Sequence, residues 1–94
     1  MPSKTRRERL QELLETGEYT VEHLARFLDT PVRNVVDDLE HVRRSAGDRF
    51  EMVPPECEGC GFVFGKRTKI RRPSRCPKCK DERIDGPWFT IEPR

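Results

Sequence analysis

The chain has 94 residues, of which 33% are hydrophobic and 38% charged, with a formal net charge of +2. That length allows one ordinary domain or two very small ones sharing a core, and so lean an apolar content predicts a staple. No run approaches the roughly eighteen apolar residues of a membrane span, and Met1 to Arg9 has no apolar signal core, so a soluble, cytoplasmic protein in a reducing compartment is expected.

The first helix is expected from about Thr5 to Thr16. Ser3 or Thr5 can cap it, Leu10, Leu13 and Leu14 form a one-sided stripe, and Gly17 stands at the position that ends helices in a left-handed turn. Arg6, Arg7 and Arg9 fall in its first turn, against the helix dipole; they could touch phosphate, but they read first as a solvated, frayed start. The second helix begins at an N-cap, Thr20, with Glu22 complementing the dipole and Tyr19 stapled to Leu24. Leu24, Phe27 and Leu28 make its expected buried face, with Ala25 as a small contact.

Asp29-Thr30-Pro31 then breaks the chain, with Thr30 as cap and Pro31 in the first helical position. A third helix follows, with Val32, Val35, Val36, Leu39 and Val42 on one face and fraying expected over residues 43–47. Its valines lower intrinsic propensity, so packing must hold it. Its exposed side is expected to carry Arg33, Asn34, Asp37, Asp38, Glu40, His41, Arg43 and Arg44. Helix, short turn, helix at this spacing is the helix-turn-helix arrangement.

After Gly47 the period changes. Arg49 to Val53 alternates loosely and reads as a strand stopped by Pro54-Pro55, and Trp88 to Glu92 reads as another between Pro87 and Pro93. Pairing the two places everything between them at the tip of a hairpin. Trp88 and Phe89 then face opposite ways, one towards the helices and one towards the inserted segment. Gly61 to Gly65 is expected to add an internal strand there.

The insertion carries Cys57-Glu58-Gly59-Cys60 and, fifteen residues later, Cys76-Pro77-Lys78-Cys79. Two thiolates three residues apart on a tight turn converge on one ion, and two such turns close a tetrahedron with no open position. Cys57, Cys60, Cys76 and Cys79 are therefore the expected ligands of one structural Zn²⁺. Iron takes the same four ligands, and ligand type separates the two metals poorly. Two disulfides would need an oxidising compartment.

The run Thr20 to Val42 looks like the pattern of winged-helix transcription regulators, with Ala25 as the small contact and Val35, Leu39 and Val42 at core positions of the presenting helix. Together with Cys57-Glu58-Gly59-Cys60-Gly61-Phe62-Val63-Phe64 and Pro73-Ser74-Arg75-Cys76-Pro77-Lys78-Cys79-Lys80, the whole chain resembles a family of small archaeal predicted transcriptional regulators that fuse a winged helix-turn-helix to a rubredoxin-like zinc ribbon. The resemblance implies an α+β fold. Three helices and the first wing strand would occupy residues 1–53, the four-cysteine zinc ribbon inserted at the wing residues 54–86, and the closing wing strand residues 87–94. It also implies DNA binding, and such regulators often pair as homodimers to read half-sites. Lys80 stands where the second knuckle usually has glycine, and a positive φ there carries strain of about 1 kcal/mol.

The surface chemistry points both ways. Residues 1–47 carry a net charge of −1 and residues 48–94 a net of +3, and four thiolates with one dication bring the loaded protein to about zero. Between Gly59 and Lys80 there is no acidic residue. Lys66, Arg67, Lys69, Arg71, Arg72 and Arg75 could meet phosphates there, as could Arg33, Asn34, Arg43 and Arg44 on the third helix. Asp37, Asp38 and Glu40 would repel phosphates, so a protein-interaction adaptor docking on the transcription machinery is the second reading. Catalysis is not expected. His23 and His41 read as helix-surface residues, adjacent Asp37 and Asp38 diverge on a helix, and no nucleophile elbow, phosphate-binding glycine loop or HExxH occurs.

Overall fold

The structure, a computed structural model, describes residues 5–65 and 70–92. It is mixed α+β: α1 (Arg6–Leu14), α2 (Val21–Leu28) and α3 (Val32–Ala46), then β1 (Phe50–Val53), β2 (Glu56–Cys57), β3 (Ile84–Asp85) and β4 (Trp88–Ile91). The strands form two small antiparallel sheets, β1 with β4 and β2 with β3. The first sheet has Phe50 opposite Ile91 and Val53 opposite Trp88. The segment between its strands carries the cysteines, as the sequence expects, and β2–β3 continues the hairpin outward.

Helix starts follow local chemistry. Thr5 caps α1 by accepting from the Glu8 N–H at 3.2 Å, and Thr20 caps α2 by accepting from the His23 N–H at 3.2 Å. Helix ends depart from expectation. α1 stops at Leu14, two residues early, and Gly17 is not left-handed. The Thr16 hydroxyl donates to the Leu13 carbonyl at 2.7 Å, so a side chain satisfies the orphan acceptor that a glycine turn would otherwise serve. α3 starts one residue late, with Pro31 itself as the cap, because the Thr30 hydroxyl accepts from Asn34 Nδ2 at 2.9 Å and makes no backbone cap. Its C-terminal end does not fray at Arg43; it runs to Ala46 and tightens into a 3₁₀ turn over Gly47–Arg49.

The main core gathers Leu10 and Leu14 of α1, Val21, Leu24 and Leu28 of α2, and Val35, Val36, Leu39 and Val42 of α3, under Phe89 and Ile91 of β4. One member comes from elsewhere. Ile70, the one aliphatic residue in the basic run from Lys66 to Arg75, is only 2% exposed and belongs to this core. Phe27, expected inside, is 60% exposed; its ring stands edge-on to Tyr19 at 5.8 Å, and Val21 takes the inward place on α2. A helix face about 100° wide holds only three of the four apolar residues, and Phe27 is the one left over. Phe89 is fully buried, as one of the two alternating aromatics should be. Trp88, on the other side of the strand, also meets the helices: it lies beside His23 of α2, ring centroids 5.7 Å apart.

The expected internal strand over Gly61 to Gly65 does not form. Val63 makes a single bridge to Glu56, and the partner that pairs with the first knuckle is instead Ile84–Asp85. Phe62 and Phe64 turn to each other, centroids 5.1 Å apart, under a second small core with Cys57, Cys76 and Ile84. Side-chain packing over the thiolates outweighs continued strand pairing.

Candidate metal centre and nucleic-acid interface

The two Cys-x-x-Cys turns are built alike. In the first, the Gly61 N–H donates to the Cys57 carbonyl at 2.9 Å and the Cys57 N–H to the Phe62 carbonyl at 2.8 Å. In the second, the Lys80 N–H donates to the Cys76 carbonyl at 3.0 Å and the Cys76 N–H to the Asp81 carbonyl at 2.9 Å. The residue after each second cysteine must turn left-handed to close these rings, and Gly61 and Lys80 do so with φ of 79° and 66°. Glycine does this without steric cost; lysine bears the strain anticipated at this position. Gly59 meets a different demand, since a Cβ there would fall 2.5 Å from Asp81 Oδ2. Asp81 in turn is held by Arg83 Nη2 at 2.7 Å, and that hydrogen bond keeps its carboxyl down at about 2.

The four Sγ atoms lie within 4.8 Å of one another. Cys57 and Cys79 Sγ are 3.5 Å apart, and Cys60 and Cys76 Sγ 3.6 Å. A tetrahedron with sulfur–metal bonds of about 2.3 Å has edges of about 3.8 Å, so the donor set fits one tetrathiolate ion. The electrostatics agree. Burial opposes ionisation of Cys76, but the N–H groups of Cys79 and Lys78 and the adjoining thiols bring it down to about 7. At Cys79 the Asp81 N–H favours the thiolate, yet the neighbouring thiols and burial push it up to about 12. Four thiols this close cannot all ionise unaided; a dication removes that conflict.

Family comparison agrees with this architecture. Residues 5–53 match the model described as PF0610-like, N-terminal, and residues 54–94 the model described as PF0610 rubredoxin-like zinc beta-ribbon domain. This chain belongs to the PF0610-like family. The solution NMR structure of protein PF0610 from Pyrococcus furiosus is similar to it, with a TM-score of 0.73 and 38% sequence identity over 100% of this chain and 94% of that one. No curated protein shows significant similarity. The seam between the two family models falls at the end of β1, while β4, inside the second, pairs with β1 in the first.

The residues expected at nucleic acid fall into three groups. Lys66, Arg67 and Lys69 lie outside the described residues. Arg33 and Arg44 are exposed on α3, Arg43 is half-buried, and Asn34 is half-buried and engaged with Thr30. Arg71, Arg72 and Arg75 are exposed, and the first two lie against the helices. Arg72 Nη2 is 3.1 Å from Glu22 Oε1, and both arginines line a cavity of ≈ 210 Å³ with Val21, Glu22, Val32 and Val36.

One expectation on α3 is overturned. Asp38 is not on the exposed face; it is fully buried. Its Oδ2 accepts from Arg6 Nε, and its Oδ1 accepts from Arg6 Nη2 at 3.1 Å and Arg7 Nε at 3.2 Å. Burial alone would raise its carboxyl, and the two guanidinium groups outweigh that and lower it. The same contacts correct the reading of α1, whose first-turn Arg6 and Arg7 are paired and not a frayed, solvated start. The sequence carried only a weak signal, two arginines placed against the helix dipole, and nothing in it named Asp38 as their partner. Ile70 was similarly marked, as a lone aliphatic in a cationic run.

Among the described residues, no helix is long and apolar enough to cross a membrane.

Proposed function

We propose that the chain is a DNA-binding transcriptional regulator of winged helix-turn-helix type, with α2 and α3 as the helix-turn-helix, β1–β4 as the wing and one structural Zn²⁺ in the ribbon. The observation that carries this reading is the position of Arg71 and Arg72. They lie along the N-terminal end of α3, beside Val32 and Val36, where a helix presented to a duplex brings its flank to the phosphates. Arg33 stands on the same end of α3, and an arginine there can read guanine. Four thiolates fill the metal's coordination and leave no position for water, so the ion holds structure and the role is binding, not catalysis.

A protein-interaction adaptor is the second reading. It is favoured by the outer face of α3, where exposed Arg33 and Asp37, and half-buried Glu40 and exposed Arg44, recur at i, i+4 spacing and together carry no net charge. The burial of Asp38 narrows the test to Asp37 and Glu40. Replacing both by Asn and Gln strengthens binding to DNA if that face approaches it.

The deciding experiment is fluorescence anisotropy of a labelled mixed-sequence duplex with zinc-loaded protein over a salt series. A log–log slope of about −5 or steeper is expected from six or so phosphate contacts. No binding at low salt would sink the DNA reading.

A further inference from the structure

We propose that Arg6 and Arg7 form a second phosphate-contacting flank for a DNA duplex, opposite Arg71–Arg72 across α3, and that buried Asp38 is the residue that positions them. The proposal rests on the DNA-binding reading above.

The geometry comes from α3. At about 100° per residue, Val36 and Asp38 point to nearly opposite sides of the helix, with Asp37 between them on the outer face. Arg33, Glu40 and Arg44 fall within about 60° of Asp37 and share the outer side of the helix. On the Val36 side the helix adjoins Arg71 and Arg72. On the Asp38 side it adjoins Arg6 and Arg7. The outer stripe is thus bracketed by two arginine pairs, one supplied by the segment between the cysteines and one by the start of α1.

The second bracket is pre-organised. Asp38 takes Nε and Nη2 of Arg6 and Nε of Arg7, yet the two side chains remain 41% and 49% exposed. Each guanidinium is therefore anchored on one edge by Asp38, and an arginine has five N–H donors, so further donors are left for a second anion. Arg6 and Arg7 bring two cations to one buried carboxylate, with Asp37 near enough to act on Arg6 as well. Arginine forks held this way contact phosphate with little further loss of freedom.

A helix in a major groove has phosphates along both rims, and an arginine pair on each side of α3 would meet them. The stripe without net charge would face base edges between those rims, where Arg33 can read guanine. Asp38, an acid on the presenting helix, then aids DNA binding by aiming cations at the backbone.

The test is the same anisotropy salt series on wild type and four variants. Arg6→Gln/Arg7→Gln/Asp38→Asn removes the flank without stranding a buried carboxylate, and changes net charge by one unit. Arg71→Gln/Arg72→Gln changes it by two. If both pairs touch phosphates, each variant flattens the slope by about 2, equally despite the unequal charge change. Arg7→Gln, which leaves Arg6 on Asp38, flattens it by about 1 and serves if the triple variant is unfolded by circular dichroism. A slope unchanged in both the triple variant and Arg7→Gln, with wild type still binding, overturns the flank alone; absence of wild-type binding overturns the DNA reading and this proposal with it. Asp38→Asn, fourth, adds a positive charge, so bulk electrostatics would tighten binding. A positioning role weakens it about threefold or more, and equal or tighter binding would refute that role.

Discussion

Arg72, from the segment that joins the two cysteine pairs, places its guanidinium 3.1 Å from the Glu22 carboxylate on α2. Two residues earlier the same segment buries Ile70 in the core built from all three helices. The ribbon is therefore fastened to the helical part at its middle as well as through the β1–β4 pair.

Metal removal should accordingly be felt by the helices. Chelation of the ion frees both cysteine turns and with them the constraint that holds Ile70 inward, so amides of α2 and α3 should lose exchange protection together with those of the ribbon. Ile70→Ala in the metal-loaded protein should cost about 2–4 kcal/mol in denaturant unfolding, the range for a buried large-to-small change. Helical amides that keep full protection after metal loss would show that the two parts are independent.

The Asp38 cluster should respond asymmetrically. Asp38→Asn leaves two half-exposed arginines that water can solvate, and should cost about 1–2 kcal/mol. Arg6→Gln with Arg7→Gln leaves a buried carboxylate without cations and should cost more, with the added Asp38→Asn restoring part of the loss. The pH dependence has a definite sign. Because the folded carboxyl is lowered, the unfolded chain binds the proton more readily, and stability is full above the ordinary carboxylate range and lost as pH falls below about 5. Thermal melts from pH 6 to 3 should fall more steeply for wild type than for Asp38→Asn.

Lys80 offers a stabilising change. Its φ of 66° is one that lysine adopts with strain, while Gly61 meets the same demand in the matching turn. Lys80→Gly should gain up to about 1 kcal/mol, which is about 4–8 °C in Tm for a domain of this size. Gly61→Ala should lose a comparable amount. A lower Tm for Lys80→Gly would mean that the lysine side chain contributes more than its backbone costs.

Much of the fold was legible residue by residue. Thr20 as a cap, the burial of Leu24, Leu39 and Val42, the pairing of β1 with β4 and the convergence of Cys57, Cys60, Cys76 and Cys79 all follow from short-range rules of capping, periodicity and ligand spacing. The misses share a cause. Thr30 and Thr16 commit their hydroxyls to neighbours, which shifts helix ends by a residue or two, and Phe27 is crowded out of a face that could hold three side chains.

Ligand chemistry and local hydrogen bonding act within a few residues, so the cysteine turns, the caps and the left-handed position at Lys80 could be read along the chain. The roles of Asp38, Arg6, Arg7 and Ile70 could not, because each depends on a partner far away in sequence. An aspartate on an amphipathic helix looks solvent-facing until two cations 31 and 32 residues distant offset the free-energy cost of its burial. Long-range packing chose which charges are neutralised, and with that choice it set the surface that α3 presents.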